Sequence, residues 1–197
     1  MSRYTGSRNK IIKSLRLRDL PGFKNIVLPR LKRTQQLNRK KKQTAQQQLY
    51  KKRLIEKQKL KYYYGLTERQ LVNYFLKAKR AEGSTADRLL ISLEMRLDNI
   101  VFRLGLAPSI PAARQLVTHG HIRVNSKKIH SPAYACKTGD NIQSKLVSQV
   151  QQKTRAIRER ARHLQPATNG GKIIGIARKQ SLPFKINDLR VVEYYSR

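Results

Sequence analysis

The apolar positions follow two rhythms along the chain. From about Ala45 to Tyr64 they recur at helical spacing: Leu49, Leu54, Ile55 and Leu60 form one edge, and the Tyr62-Tyr63-Tyr64 run ends at Gly65. Thr67-Glu68-Arg69-Gln70 has the form of a capping box, with Thr67 as the cap and Gln70 reaching back to it. Leu71, Tyr74, Phe75 and Ala78 carry that helix to about Ala81. Gly83 stops it, and Ser84 or Thr85 opens another with Leu89, Leu90, Leu93 and Met95 as its apolar residues. Two shorter helices follow. In the first, capped by Asp98 or Asn99, Leu97, Ile100, Val101 and Leu104 cluster ahead of Gly105. In the second, capped by Ser109 with Pro111 in the first turn, Ile110, Ala113, Leu116 and Val117 form the buried side.

At His121 the period changes to two. Ile122 and Val124 point one way, and His121, Arg123 and Asn125 the other. Asn125-Ser126-Lys127 reads as a tight turn. Lys128 to His130 begin a return strand that Ser131-Pro132 interrupts and Tyr134 to Cys136 continue, and a further strand is expected near Asn141–Gln143. Val147, Val150, Thr154, Ile157, Ala161 and Leu164 then alternate in steps of three and four, which predicts a helix with a narrow apolar stripe and Arg155, Arg158, Arg160 and Arg162 around it. Pro166 to Gly171 reads as a loop. The stretches 172–177 and 190–197 read as short strands, the last packing back on the helical region. The predicted class is α+β: a mostly helical lobe, a small lobe of two short helices on a small antiparallel sheet, and an extended basic N-terminal arm. The expected divisions are an arm over 1–45, a helical lobe over 46–92 completed by the tail 175–197, and the small lobe with its following basic helix over 93–165.

Charge narrows the partner. The 197 residues carry 44 Lys and Arg against 11 Asp and Glu, a net charge of +33. So basic a surface repels itself unless a polyanion neutralises it. Nucleic acid fits better than a membrane surface, because the charge is spread along the whole chain and no apolar run is long enough to span a bilayer. The lone Cys136 rules out an internal disulfide and cysteine-based zinc fingers, and reads as a small buried hydrophobe. The start, MSRYTGSRNK, lacks the apolar core of a secretory signal. No P-loop, H-E-x-x-H or nucleophile elbow is present. The expectation is binding without catalysis, cofactor or metal.

The candidate contacts are basic or polar groups on the helices, strand and turn of the small lobe: Arg96, Arg103, Arg114, Gln115 and His119, then His121, Arg123, Asn125, Lys127 and Lys128. Guanidinium forks suit phosphate oxygens, and folded RNA is read chiefly through shape, phosphate and 2′-hydroxyl contacts. For Arg96 a structural pair with Asp98 is the competing role. Lys57, Lys59, Lys61 and Arg69 extend the candidates onto the helical lobe. The run Arg39, Lys40, Lys41 and Lys42 does so on the arm, which is expected to be disordered when free and ordered against phosphates.

Leu93-Glu94-Met95-Arg96-Leu97-Asp98-Asn99, Ala113 to Ile122, and Val124-Asn125 resemble the RNA-binding module of the small-subunit ribosomal protein S4 family. The resemblance extends to Glu56–Leu60, Tyr64–Gln70, the start Met1–Gly6 and the end Val191–Arg197, and its details are similar to plastid members. It implies a structural constituent of the small ribosomal subunit that binds the 5′ domain of the rRNA, nucleates assembly and supports translational accuracy. The implied neighbours are ribosomal proteins S3 and S5 near the mRNA entry channel. The implied location is the plastid stroma, with bacterial cytoplasm or mitochondrion as alternatives. Two departures stand out: Ser126 occupies a turn position where the family usually has glycine, and the arm lacks the cysteines that hold zinc in some bacterial members. An RNA-modifying enzyme or a stand-alone RNA-binding factor carrying the same module is the alternative function.

Overall fold

Three consecutive helices span residues 45–94. The computed structural model describes residues 11–12, 14–15, 45–145, 161–178, 182–184 and 186–196. Helix α1 spans Ala45–Tyr63, α2 Glu68–Arg80 and α3 Thr85–Glu94. The Thr67 hydroxyl accepts from the Gln70 amide while the Gln70 side chain accepts from the Thr67 amide, completing the expected capping box. Ser84 caps α3. Helix α4 covers Leu97–Arg103 and α5 covers Ile110–Thr118, with Ser109 as cap and Pro111 in the first turn. The helices α1, α4 and α5 end alike: a glycine at positive φ (Gly65, Gly105, Gly120) is followed by a residue whose amide reaches back five positions, as in Leu66 to Lys61 at 2.9 Å.

The start of α4 departs from expectation. Neither Asp98 nor Asn99 caps it, and its N-cap position is Arg96. The Tyr134 and Pro132 carbonyls accept from the Leu97 and Asp98 amides, at 2.9 and 3.2 Å, so a distant segment satisfies the orphan donors of the first turn. This also explains why the return strand is short. β1 is Ile122–Val124 and β2 only Lys127–Lys128. Beyond β2 the chain leaves the sheet, and Ala135 pairs with Arg96 instead.

The sheet is antiparallel and larger than its first hairpin. β3 (Asn141–Ser144), β4 (Leu164–Ala167) and β5 (Gly170–Ile173) complete the order β2-β1-β3-β5-β4. Leu164, expected to end a helical stripe, lies in β4, and the expected loop at 166–171 is the tip of the β4–β5 hairpin. Ala161 of the same stripe is buried but lies in no helix, and its other members, Val147, Val150, Thr154 and Ile157, lie outside the described residues. Gly170 and Gly171 make the hairpin possible. A Cβ on Gly170 would fall 1.9 Å from the Ile142 carbonyl oxygen, and one on Gly171 would fall 2.5 Å from a Leu104 methyl.

The tail is a further correction. Residues Asp188–Tyr195 form helix α6, capped by Asn187, where β-branched and aromatic residues suggest a strand. Packing overrides propensity: Val191 is buried, Val192 and Tyr195 join the core, and the Tyr195 ring meets Phe75 of α2 at 5.0 Å between centroids. α6 packs on α1, α2 and α3. One core runs from Leu60 and Tyr63 through Leu93, Ile100 and Val117 to Ile122, Ile142 and Ile173. Ile12 and Leu15 form a satellite cluster against Ile55 and Tyr62 of α1.

Candidate nucleic-acid interface

The arginines divide into two groups. Arg103 is 1% exposed, and its guanidinium meets both carboxylate oxygens of Glu94 at 2.9 Å. Glu94, equally buried, also accepts from the Tyr64 hydroxyl and the Asn99 amide. Arg96, 3% exposed, forks onto Asp98 at 3.0 and 2.7 Å and donates to the Tyr74 hydroxyl. Asp98 takes a second arginine as well. Arg114 donates four hydrogen bonds inward, two to Asp98 and one each to the Gly65 and Tyr64 carbonyls. Arg114 thus ties α5 to the end of α1, and its side chain keeps 33% exposure.

These contacts correct the expectation for Arg96 and Arg103, which have no surface to offer a partner, and limit it for Arg114. A buried carboxylate needs a charged, hydrogen-bonded counterpart, and the nearest cations are drawn in to supply it. Burial alone would lower the pKa of Arg96 and Arg103, but Asp98 and Glu94 outweigh it and raise both. Burial, reinforced by Glu94, also pushes the Tyr64 hydroxyl well above its ordinary value, so it remains a donor. Sequence reading overlooked Glu94. Its one signal was a carboxylate between Leu93 and Met95 at the end of an apolar helix.

The remaining small-lobe candidates stay at the surface. Gln115 and His119 are exposed on the outer side of α5 and just past its end, His121 is half-buried, and the two imidazoles lie 6.2 Å apart. Asn125, Lys127 and Lys128 are exposed at the β1–β2 turn, and Arg123 is half-buried on β1. The turn is firmly held. Asn125 and Ser126 both have positive φ, 48° and 69°, as a type I′ hairpin turn requires. Asn125 donates to Asp140 at 2.8 Å and accepts from the Asn141 amide at 2.9 Å. Asp140 also accepts from the Lys137 amide, so one buried carboxylate fixes two turns.

On the helical lobe only Arg69 of the four candidates is fully exposed. Lys57 is buried: it pairs with Glu68 at 2.7 Å and sits over the Tyr194 ring. That contradicts its expected role, because it is spent on joining α1 to α2 and α6. Lys59 and Lys61, both half-buried, pair with Glu56 and Glu68. Tyr63 and Tyr64 are core residues. Arg39, Lys40, Lys41 and Lys42 lie outside the described residues.

Cys136 is buried, and burial next to Asp140 and Asp98 pushes its thiol up to about 12. No group of three or more metal-ligating side chains occurs among the described residues, and no described helix is long and apolar enough to cross a membrane.

Comparison with known proteins sets this geometry in a family. Residues 95–142 match the S4 domain, and residues 3–94 match the ribosomal protein S4/S9 N-terminal domain. The small ribosomal subunit protein uS4c of Chlorokybus atmophyticus is 48% identical, that of Chaetosphaeridium globosum 45%, and uS4 of Thermosynechococcus vestitus 43%. Each comparison covers all of this chain and 99% of the relative. Identity of this extent across the full length leaves one conclusion: the chain belongs to the small-subunit ribosomal protein S4 family, and within it to the plastid type.

Proposed function

We propose that the chain is a structural, non-catalytic constituent of the small ribosomal subunit of a plastid, where it binds the 5′ domain of the rRNA, nucleates assembly and supports translational accuracy. The observation that carries this reading is the exposed rim formed by the end of α5 and the β1–β2 turn. It presents Gln115, His119, Asn125, Lys127 and Lys128 on a rigid frame, with no acidic residue in the sequence between Asp98 and Asp140. Such a surface supplies point charges for phosphates and amide and imidazole groups for 2′-hydroxyls. Arg123 on β1, Arg69 at the start of α2 and, in the sequence, the run Arg39–Lys42 are further candidate contacts. Ribosomal proteins S3 and S5, near the mRNA entry channel, are the proposed neighbours.

An RNA-modifying enzyme built on the same module needs a separate catalytic domain. The matched families account for residues 3–142, and 99% of the Chaetosphaeridium globosum uS4c relative is matched, which supports the ribosomal reading over that one. The test is sedimentation of plastid ribosomes through a high-salt gradient. The chain is expected to travel with the small subunit; recovery only in the free fraction would overturn the proposal.

A further inference from the structure

The strand register places Lys128 and Arg123 on one surface with a further cation, Lys172. Arg123 of β1 stands opposite Lys128 of β2 on one side and Gln143 of β3 on the other. Asn141 of β3 stands opposite Lys172 of β5, which in turn faces Gln165 of β4. The alternating partners Ile122, Val124, Ile142, Ile173 and Leu164 are buried, so these six polar residues share the outward face of the sheet. None of the five strands contains Asp or Glu.

This face lacks something electrostatically. Like charges directly opposite across a strand pair repel, and Arg123 and Lys128 are so placed. The Arg123 Nε is moreover buried without a hydrogen-bond acceptor among the described residues. A charged N–H in that state is costly unless an anion completes it. From β2 to β5 the three cations span about 14 Å at the usual strand spacing. That exceeds the size of one phosphate and suits successive phosphates along a backbone. The amides of Gln143 and Asn141 between these cations, and of Gln165 beyond Lys172, both donate and accept, which matches ribose hydroxyls beside phosphates.

We propose that the outward face of the sheet, through Lys128, Arg123 and Lys172, is a second RNA-backbone contact that continues the rim onto the β4–β5 hairpin. It rests on the reading that the chain binds RNA. Lys172 is its distinguishing residue, since it lies outside the rim and is fully exposed.

The test uses the full chain and a transcript of the 5′ domain of small-subunit rRNA. Lys172→Gln is expected to reduce the slope of log affinity against log salt by about 0.7–0.9, with an unchanged melting curve. Naked transcript is expected to protect Lys172 from amine acylation. If Lys127→Gln lowers the slope and Lys172→Gln does not, the sheet face is not a contact while RNA binding stands. Protection of Lys172 only in complete subunits would assign the face to a protein neighbour and overturn the proposal. Absence of salt-dependent binding by the unmodified chain would sink this inference and the underlying reading together.

Discussion

Arg96, Arg103 and Arg114 carry the charge a nucleic acid attracts, yet all three are turned towards carboxylates inside the protein. Arginine serves both roles with the same fork, and only the position of Glu94 and Asp98 in three dimensions separates them. Glu94→Gln leaves the Arg103 charge buried without its counterpart. It is expected to lower stability by about 3 kcal/mol in denaturant unfolding, since stranding one member of a buried pair costs far more than the pair contributes. Ser126 presents the opposite situation. It holds a φ of 69°, a region that strains residues with a Cβ. Ser126→Gly, the residue the family resemblance leads one to expect there, should stabilise the chain by about 1 kcal/mol. An unchanged or lower melting temperature would show that Ser126 makes a compensating contact.

Among the elements, α6 depends on a few ties to its neighbours. Glu68 at the start of α2 receives Lys57 and Lys61 of α1 and the Tyr195 hydroxyl of α6. Partial burial acts to raise the Glu68 pKa, but these donors outweigh it, and the net shift is downward. A depressed carboxylate stabilises the fold above its ordinary pKa of about 4.3, and that stability is lost as pH falls through the lower folded value. Glu68→Gln should therefore reduce the pH dependence of the melting temperature in that acid range and lower stability at neutral pH. Parallel curves for variant and parent would contradict the tie. The elements also mark how far the sequence could be read. The helices α1 through α5 were legible from their apolar residues, from the caps of α2, α3 and α5 and from the stop glycines after α1, α4 and α5, as was the β1–β2 hairpin. The α6 helix was not, because Val191, Val192, Tyr194 and Tyr195 favour strands locally and only packing on α1, α2 and α3 selects a helix. The β4–β5 hairpin was hidden for a similar reason: its glycines signal loops to local reading, whereas their use is close approach to β3 and Leu104. Of the candidate site, the turn and the outer side of α5 were legible from exposure pattern alone. The split between internal and external arginines was not, apart from the Arg96–Asp98 pair.

At the scale of the molecule, the few carboxylates are concentrated where elements meet. Glu56, Glu68, Glu94, Asp98 and Glu193 all enter ion pairs within the chain. The cations they engage form internal links, and among the described residues most others remain at the surface, from Lys127 at the turn to Arg178 beyond β5. Charge thus does two jobs, joining helices to one another and facing an RNA, and one experiment separates them. Binding to a transcript of the 5′ domain of small-subunit rRNA is measured across a salt series, alongside thermal unfolding, for the parent chain, for Lys127→Gln/Lys128→Gln and for Arg114→Ala. The double variant is expected to flatten the slope of log affinity against log salt by roughly 1.5 with its melting temperature unchanged. Arg114→Ala is expected to melt earlier and keep nearly the full slope. A double variant with the parent's slope, or an Arg114 variant that loses slope without losing stability, would contradict the account.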